Sequence, residues 1–557
     1  MLATQFRSEP TGRGLDAESR QMILDIVSQV RKRMLPREKI LEYDRTETFP
    51  EDVIRQLLSP DIGLQLLFIP EEYGGMGGGA LDCCAITRAM AKICLGIGTA
   101  FFAIQLGADP LLVGGTEEQK ARWLGAIAER GALVAYAVTE PGAGSNLAAL
   151  KTKAEPVTDQ NGAVTAYRIN GTKQFISTGG YADFITLLAK TPEGPSFFVV
   201  EKGTPGFQQG KGEEKHGIRA SNTSPLTFTD VEVPAENLIG GVPGQGLKQA
   251  NKVFGYTRLM VASMALGAAE AALDIVIPYA QERVQFGTTL SEKQGYTHKL
   301  VVPHAVRLAA AAAHIEEVAR QLDASDEDRQ VEGSIAKLFT TEAANRCADD
   351  GMQALGGYGY ITEFEVEKIK RDVKITCIYE GTSEIQQSII STFRWKKTWK
   401  TKGGFYTAIA EEMEKLAASG PDAGYGTYAR AARAVNEAVF LAHKNRLTRQ
   451  QAVMFALADM MTWVEVGAAL ARKAARLSEA GDADAEKTVL AARIFAAEVG
   501  QLICRRGTHV CLGTGGLAGD AVADFLPKLA CEDLMQSCRG VYRDMDRAAD
   551  ILFGRAS

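Results

Sequence analysis

Between Asp16 and Arg33 apolar residues recur every third or fourth position, and Met22, Ile23, Ile26, Val27 and Val30 would share one face. That period predicts an amphipathic helix. Leu81–Gly107 predicts a second, longer helix. Between them lies Glu72-Tyr73-Gly74-Gly75-Met76-Gly77-Gly78-Gly79, a loop whose glycines lack the strand-then-helix setting of a dinucleotide fingerprint. From Ala132 to about Asn237 the pattern shortens to β-rich runs bounded by turn residues: Val134–Val138, Tyr167–Ile169, Phe184–Ala189, Ser196–Val200 and Leu226–Val231. These runs predict a small antiparallel β-domain, sandwich or barrel.

From Gly246 the helical period returns in Ala-rich stretches at Val261–Gln285, Thr297–Asp323 and Val331–Asp350, the last closed by Leu355-Gly356-Gly357-Tyr358-Gly359-Tyr360. Ser383-Glu384-Ile385-Gln386 fits a capping box, which puts Glu380 just before a helix N-terminus. The predicted fold is mostly α with a central β-domain. Its parts are an N-terminal helical domain (1–131), the β-domain (132–245), a helical bundle (246–402) and an extra C-terminal helical domain (403–557). The basic, aromatic run Arg394-Trp395-Lys396-Lys397-Thr398-Trp399-Lys400 is expected to be a solvated linker into that extension rather than a nucleic-acid contact.

The extension echoes the bundle at one offset. Phe339 and Glu342 pair with Phe495 and Glu498 (495 − 339 = 156), and Gly351, Gln294 and Arg320 pair with Gly507, Gln450 and Arg476 at the same spacing. At this offset Glu380 falls on Gln536, so a second copy would keep helical packing without the carboxylate.

The 557 residues exceed one ordinary core, and 46% hydrophobic with 23% charged residues is usual for a soluble globular protein. A net charge of −6 argues against a nucleic-acid binder. Met1–Leu15 lacks the apolar centre of a secretory signal. No uninterrupted apolar run reaches about 18 residues, so no spanning helix is predicted, while a peripheral membrane face stays open. The nine cysteines and six histidines show no metal-ligand spacing; free thiols in a reducing cytoplasm and no metal site are expected.

Three segments then resemble the acyl-CoA dehydrogenases. Tyr136-Ala137-Val138-Thr139-Glu140-Pro141-Gly142-Ala143-Gly144-Ser145 resembles the family's flavin-loop signature, and Gln353-Ala354-Leu355-Gly356-Gly357-Tyr358-Gly359-Tyr360 its second signature. Arg371-Asp372-Val373-Lys374, followed by Ile378-Tyr379-Glu380-Gly381-Thr382-Ser383-Glu384-Ile385-Gln386, looks like the catalytic motif. The likeness runs in the family's order from about residue 15 to 400.

The resemblance implies FAD-dependent α,β-dehydrogenation of an acyl-CoA thioester to the trans-2-enoyl-CoA, within fatty-acid β-oxidation. Glu380 would abstract the α-proton and flavin N5 would take the β-hydride. The thioester carbonyl would be held by the Glu380 N–H and a ribityl hydroxyl, and electrons would pass to electron-transfer flavoprotein. A weakly acidic α-proton needs a positioned base and enolate stabilisation, and a carboxylate suits once burial raises its pKa. Taken alone, Glu380 would be an ordinary helix-N-terminal glutamate. Some relatives carry the base immediately before an arginine on another helix; here Thr257 precedes Arg258, so the role stays with Glu380.

By motif match, Tyr136, Val138, Thr139, Gly144 and Ser145 should line the flavin and its phosphate, with Phe175, Ile176 and Ser177 against the ring. Arg283, Phe286 and Gln294 would meet the pyrophosphate and adenosine. Gln353, Gly356 and Gly357 would reach the FAD of a neighbouring subunit, and Thr382 with Glu384 the near one. Substrate contacts fall to Ser145, Thr257, Arg258, Tyr379, Glu380 and Gly381, with Thr99 and Phe102 along the acyl group. Phe101 and Phe102 suggest either an apolar pocket wall or helix core. Asn146 stands where the signature usually has Asp, and Gly255-Tyr256 replace the Asp-Lys of medium-chain relatives. Gly98 falls where glutaryl-CoA dehydrogenases carry an arginine, which counts against a dicarboxylyl substrate.

An acyl-CoA oxidase using oxygen and a catalytically silent flavin-binding scaffold share these signatures. The extension resembles that of very-long-chain acyl-CoA dehydrogenases, which implies a homodimer, with a tetramer as the alternative, and peripheral membrane contact. A cytoplasmic location is expected.

Overall fold

The structure, a computed structural model, describes residues 1–6 and 12–555. Helix α1 (Ala17–Arg33) starts at Asp16, whose side chain accepts from the Ser19 N–H, and ends in Arg31, Lys32 and Arg33, which complement the helix dipole. It buries Ile23, Val27 and Val30, while Met22 and Ile26 are exposed. Helices α2 (Arg37–Thr46), α3 (Glu51–Leu57), α4 (Ala80–Ile93), α5 (Leu95–Gly114) and α6 (Glu117–Arg130) complete the first region. The single helix expected over Leu81–Gly107 is therefore two. Cys94 between them is extended (φ −163°, ψ 120°), and apolar residues on both sides hide this break from periodicity.

Strands β1 (Val134–Ala137), β2 (Lys153–Thr158), β3 (Val164–Ser177), β4 (Phe184–Thr191), β5 (Gly194–Glu201), β6 (Phe207–Gln209) and β7 (Thr223–Pro234) form one sheet in the order β1-β4-β2-β3-β7-β6, with β5 on β4. The sheet is mixed rather than wholly antiparallel. β1 runs parallel to β4 from Val134↔Phe184 to Ala137↔Leu187, and β2 meets β4 in parallel at Lys153↔Lys190. Ile169, Ile185, Leu187, Phe198, Val200, Leu226 and Val231 fill its own core.

Helix α7 (Gly246–Glu282) leads to a two-stranded hairpin, β8 (Val284–Gln285) with β9 (Thr288–Thr289). The stretch expected as one helix from Thr297 breaks at Val301 into α8 (Gln294–Leu300) and α9 (Val302–Ala324). Helices α10 (Gln330–Leu355), α11 (Glu365–Val373) and α12 (Ser383–Lys400) follow, and α10 packs lengthwise on α7.

The expected linker Arg394–Lys400 is the last part of α12. Arg394 is only 3% exposed and donates to Glu332 at 2.9 Å and to Glu465 at 2.9 and 2.7 Å, while Trp399 stacks on His443 at 3.6 Å. The basic run marks an interface because acidic partners arrive from distant sequence.

The extension holds α13 (Gly404–Ala417), α14 (Tyr425–Lys444), α15 (Gln451–Glu479), α16 (Ala485–Leu512), α17 (Gly519–Lys528), α18 (Cys531–Met535) and α19 (Val541–Leu552). It docks through Trp463 and Phe495, whose rings lie 5.4 and 5.5 Å from Phe339. Adding 156 to the bounds of α10 gives 486–511, beside α16; the same step carries α11 to 521–529, beside α17. By length and composition α5, α7 and α15 could each cross a membrane, although no uninterrupted apolar run suggested it. In this fold 83%, 78% and 83% of their apolar windows are buried inside the protein.

Candidate active site

Between α11 and α12 the chain makes a strained turn. Glu380 has a φ of 54° and Gly381 one of 89°; the left-handed region costs a non-glycine residue roughly 1–2 kcal/mol. Three side-chain hydrogen bonds hold it: Lys337 Nζ to the Gly381 carbonyl (2.7 Å), and Gln386 Nε2 to the carbonyls of Glu380 (3.1 Å) and Gly381 (2.9 Å). The cap of α12 sits one residue earlier than the capping box expected from Ser383. Thr382 accepts from the Ile385 N–H, and Ser383 instead donates to Glu342 at 2.7 Å. Gln386, expected to close that box, clamps the turn instead.

The Glu380 carboxyl points back to α7, where Thr257 Oγ1 donates to its Oε2 at 2.8 Å. Withdrawal from water raises its pKa, opposed by that hydrogen bond and by the charges of Arg258 and Lys337. Burial pushes the Lys337 ammonium down to about 8. Arg258 is buried and donates to Ser334 on α10 at 3.3 Å. Thr99 and Phe102 are buried on α5; Phe102 packs on Phe68 (5.6 Å), and Phe101 is wholly core. Asp109, further along α5, lies within the field of Glu380.

β1 delivers the loop Tyr136–Ser145. A buried ion pair braces it: Lys173 Nζ donates to Glu140 Oε1 (2.8 Å) and to the Val138 carbonyl (3.0 Å), and Glu140 also accepts from the N–H groups of Lys151 and Thr152. The Gln174 N–H donates to the Thr139 carbonyl at 2.9 Å, which sets Phe175 beside the loop. Phe175 has a φ of 59° and is 63% exposed, an unusual outlay for an aromatic ring unless a ligand covers it. Ser177 is partly buried. Ile176, by contrast, turns its side chain into the β-domain core, and Val138 is likewise buried, so side-chain contact with a ring is not theirs. Gly144 and Ser145 are exposed, and a Cβ built on Gly144 would meet nothing within 4 Å.

A second cluster forms elsewhere. Arg283 lies over the Tyr358 ring at 6.0 Å, and the Tyr279 hydroxyl donates to the Leu355 carbonyl at 3.3 Å. Phe286, φ 51°, is 96% exposed at the tip of the β8–β9 hairpin. Gln353, Gly356 and Gly357 are exposed beside it, again with open space at both glycines. Gln294 is engaged by Asp546 of α19 at 3.0 Å. Tyr279 stands 22 residues beyond Thr257 on α7, and Gln353 stands 19 beyond Ser334 on α10. At 1.5 Å per residue the two clusters are roughly 30 Å apart.

Exposed rings on left-handed backbone, open glycines and a braced polar loop fit a flavin dinucleotide. Thr382 and Glu384, at the head of α12, are partly buried and exposed respectively. Sequence reasoning missed Lys337, Lys173, Gln105 and Asp109. Lys337, Gln105 and Asp109 are polar residues inside otherwise apolar runs, and that was the available signal; Lys173, in Asn170-Gly171-Thr172-Lys173-Gln174, carried none.

Comparison with known proteins gives the same answer along the chain. Family models described as the N-terminal, middle and C-terminal domains of acyl-CoA dehydrogenase match residues 17–130, 135–231 and 244–393, and the C-terminal model matches again at 412–539. The chain is 39% identical over 380 residues to an acyl-CoA dehydrogenase of Bacillus subtilis, covering 67% of this chain and 96% of that one. It is 38% identical over 378 residues to a cyclohex-1-ene-1-carbonyl-CoA dehydrogenase of Geobacter metallireducens, covering 67% and 97%. The structure of a Bacillus anthracis acyl-CoA dehydrogenase complexed with FAD superposes with a TM-score of 0.84 at 26% identity, over 97% of this chain and 95% of that one, extension included. With its three domains matched in order, the chain belongs to the acyl-CoA dehydrogenase family, FAD-dependent oxidoreductases that act on CH–CH bonds.

Proposed function

We propose that this enzyme dehydrogenates an acyl-CoA thioester across Cα–Cβ with Glu380 as the base. The observation that carries the reading is the Glu380 turn: a carboxyl raised by burial, held against Thr257 by backbone that three side-chain hydrogen bonds keep strained. Glu380 takes the α-proton, and its N–H holds the thioester carbonyl as negative charge develops there. Thr257, Arg258 and Lys337 oppose the effect of burial and favour the ionised form in which Glu380 acts as a base. Tyr136, Thr139, Gly144, Ser145, Phe175 and Ser177 hold the flavin end of FAD, which when bound supplies the acceptor for the β-hydride. Tyr379, Gly381, Thr99 and Phe102 border the acyl group. Electron-transfer flavoprotein is the proposed acceptor. Anaerobic loss of oxidised-flavin absorbance on adding acyl-CoA tests the reaction; abundant peroxide in air would point to an oxidase.

The second cluster lies roughly 30 Å along α7 and α10 from the Glu380 turn, farther than one dinucleotide bound at that turn is expected to extend. A second copy would bring Arg283, Phe286, Gln353, Gly356 and Gly357 to the adenosine end of its neighbour's FAD, which makes the homodimer the working unit. Light scattering of the holoenzyme tests this, and a monomer with full FAD occupancy would refute it.

The extension is read as a second bundle without its base. Shared element order at one offset and the double match of the C-terminal domain support this.

A further inference from the structure

Near the Glu380 turn, α5 carries buried polar groups that nothing in the fold fully satisfies among the described residues. On α5, Thr99, Phe102, Gln105 and Asp109 recur at helical spacing, so they share one side of the helix. Gln105 and Asp109 are each only 5% exposed, one turn apart. Gln105 Nε2 donates to the Tyr256 hydroxyl at 2.8 Å, but its Oε1 has no hydrogen-bond partner among the described residues. Asp109 Oδ2 and the Tyr136 hydroxyl are likewise buried without partners. Burial pushes the Asp109 carboxyl well up, and the neighbouring Glu380 charge pushes it further, which favours its protonated, donating form. Buried polar atoms without partners are rare in folded proteins, and those beside a site await a ligand or water.

We infer that Gln105 and Asp109 form a polar acyl subsite that selects acyl-CoA thioesters bearing a hydroxyl or carbonyl oxygen over unsubstituted alkyl chains of the same length. Tyr256, where medium-chain relatives carry a lysine, orients Gln105. A site built to hydrogen-bond an oxygen rejects the analogue that lacks it, because its own groups then stay unpaired. The inference deepens the proposed acyl-CoA chemistry and rests on it for the location of the acyl group.

Binding separates the two. Calorimetry on the FAD-loaded dimer would compare S-alkyl-CoA thioethers, which cannot be dehydrogenated across a thioester, with counterparts carrying a hydroxyl moved outward from the third carbon. At least one hydroxylated analogue should bind tenfold or more tighter than its alkyl match. Gln105→Leu/Asp109→Leu should abolish or reverse that ratio, and Asp109→Asn should keep part of it. Equal or weaker binding of every hydroxylated analogue, or a ratio unchanged in the double variant, overturns the inference. If the ratio holds while no thioester bleaches the flavin, the dehydrogenase reading fails and the polar subsite stands.

Discussion

Thr257 Oγ1 lies 2.8 Å from Glu380 Oε2 and donates a hydrogen bond to that carboxylate from α7. Losing a bond to the ionised form raises an acid's pKa. Thr257→Val should therefore move the acid limb of kcat/KM to higher pH, with little change on the alkaline plateau. A pH–rate profile checks it.

Glu380→Gln should retain FAD and lose turnover by about a hundredfold or more. The same substitution should stabilise the fold at neutral pH. Because the folded-state pKa of Glu380 is raised, its stabilising contribution is full below the ordinary value of 4.5 and is lost as pH rises through the folded value. The Gln variant should melt above the parent at pH 7 to 8, with the gap closing near pH 4. Thermal melts across that range decide it.

Lys173→Met leaves Glu140 buried beside the flavin loop with its cation removed. Breaking one side of such a pair costs about 3–5 kcal/mol, and the loop it braces should lose FAD. Denaturant melts and the flavin-to-protein absorbance ratio read both effects, and adding Glu140→Gln should recover part of the stability.

Arg394→Met should loosen the extension, since Glu332 and Glu465 both lose their cation. The expected result is a stability loss of about 3–5 kcal/mol and faster proteolysis within α13–α15, with Glu465→Gln as partial rescue. An unchanged proteolysis rate would mean that the extension is held by its other contacts, among them Arg307–Glu498 and Arg472–Glu317.

Much of this was legible from residues. The strand runs, the Ala-rich helices and the Glu380 motif all lie in local pattern, and the structure brings Thr257 and Arg258 to Glu380. What was hidden depends on partners remote in sequence. Arg394 looked solvated because Glu465 is 71 residues away. Ile176 looked like a flavin neighbour because its motif position does not say which face of β3 it takes. The break at Cys94 carries no turn residue. Asp109 stood out as a lone acid in an apolar helix, but no local rule says what such an acid will face.

At the position corresponding to Glu380, the extension's Gln536 sits on ordinary right-handed backbone with a φ of −60°, against 54° at Glu380. On the proposed reading of the extension as a second bundle, a glutamate placed at 536 by one codon change would carry its carboxylate on a different trajectory from that of Glu380. The two halves would then differ there in main-chain shape and not in one side chain alone, so a working base would require a rebuilt turn.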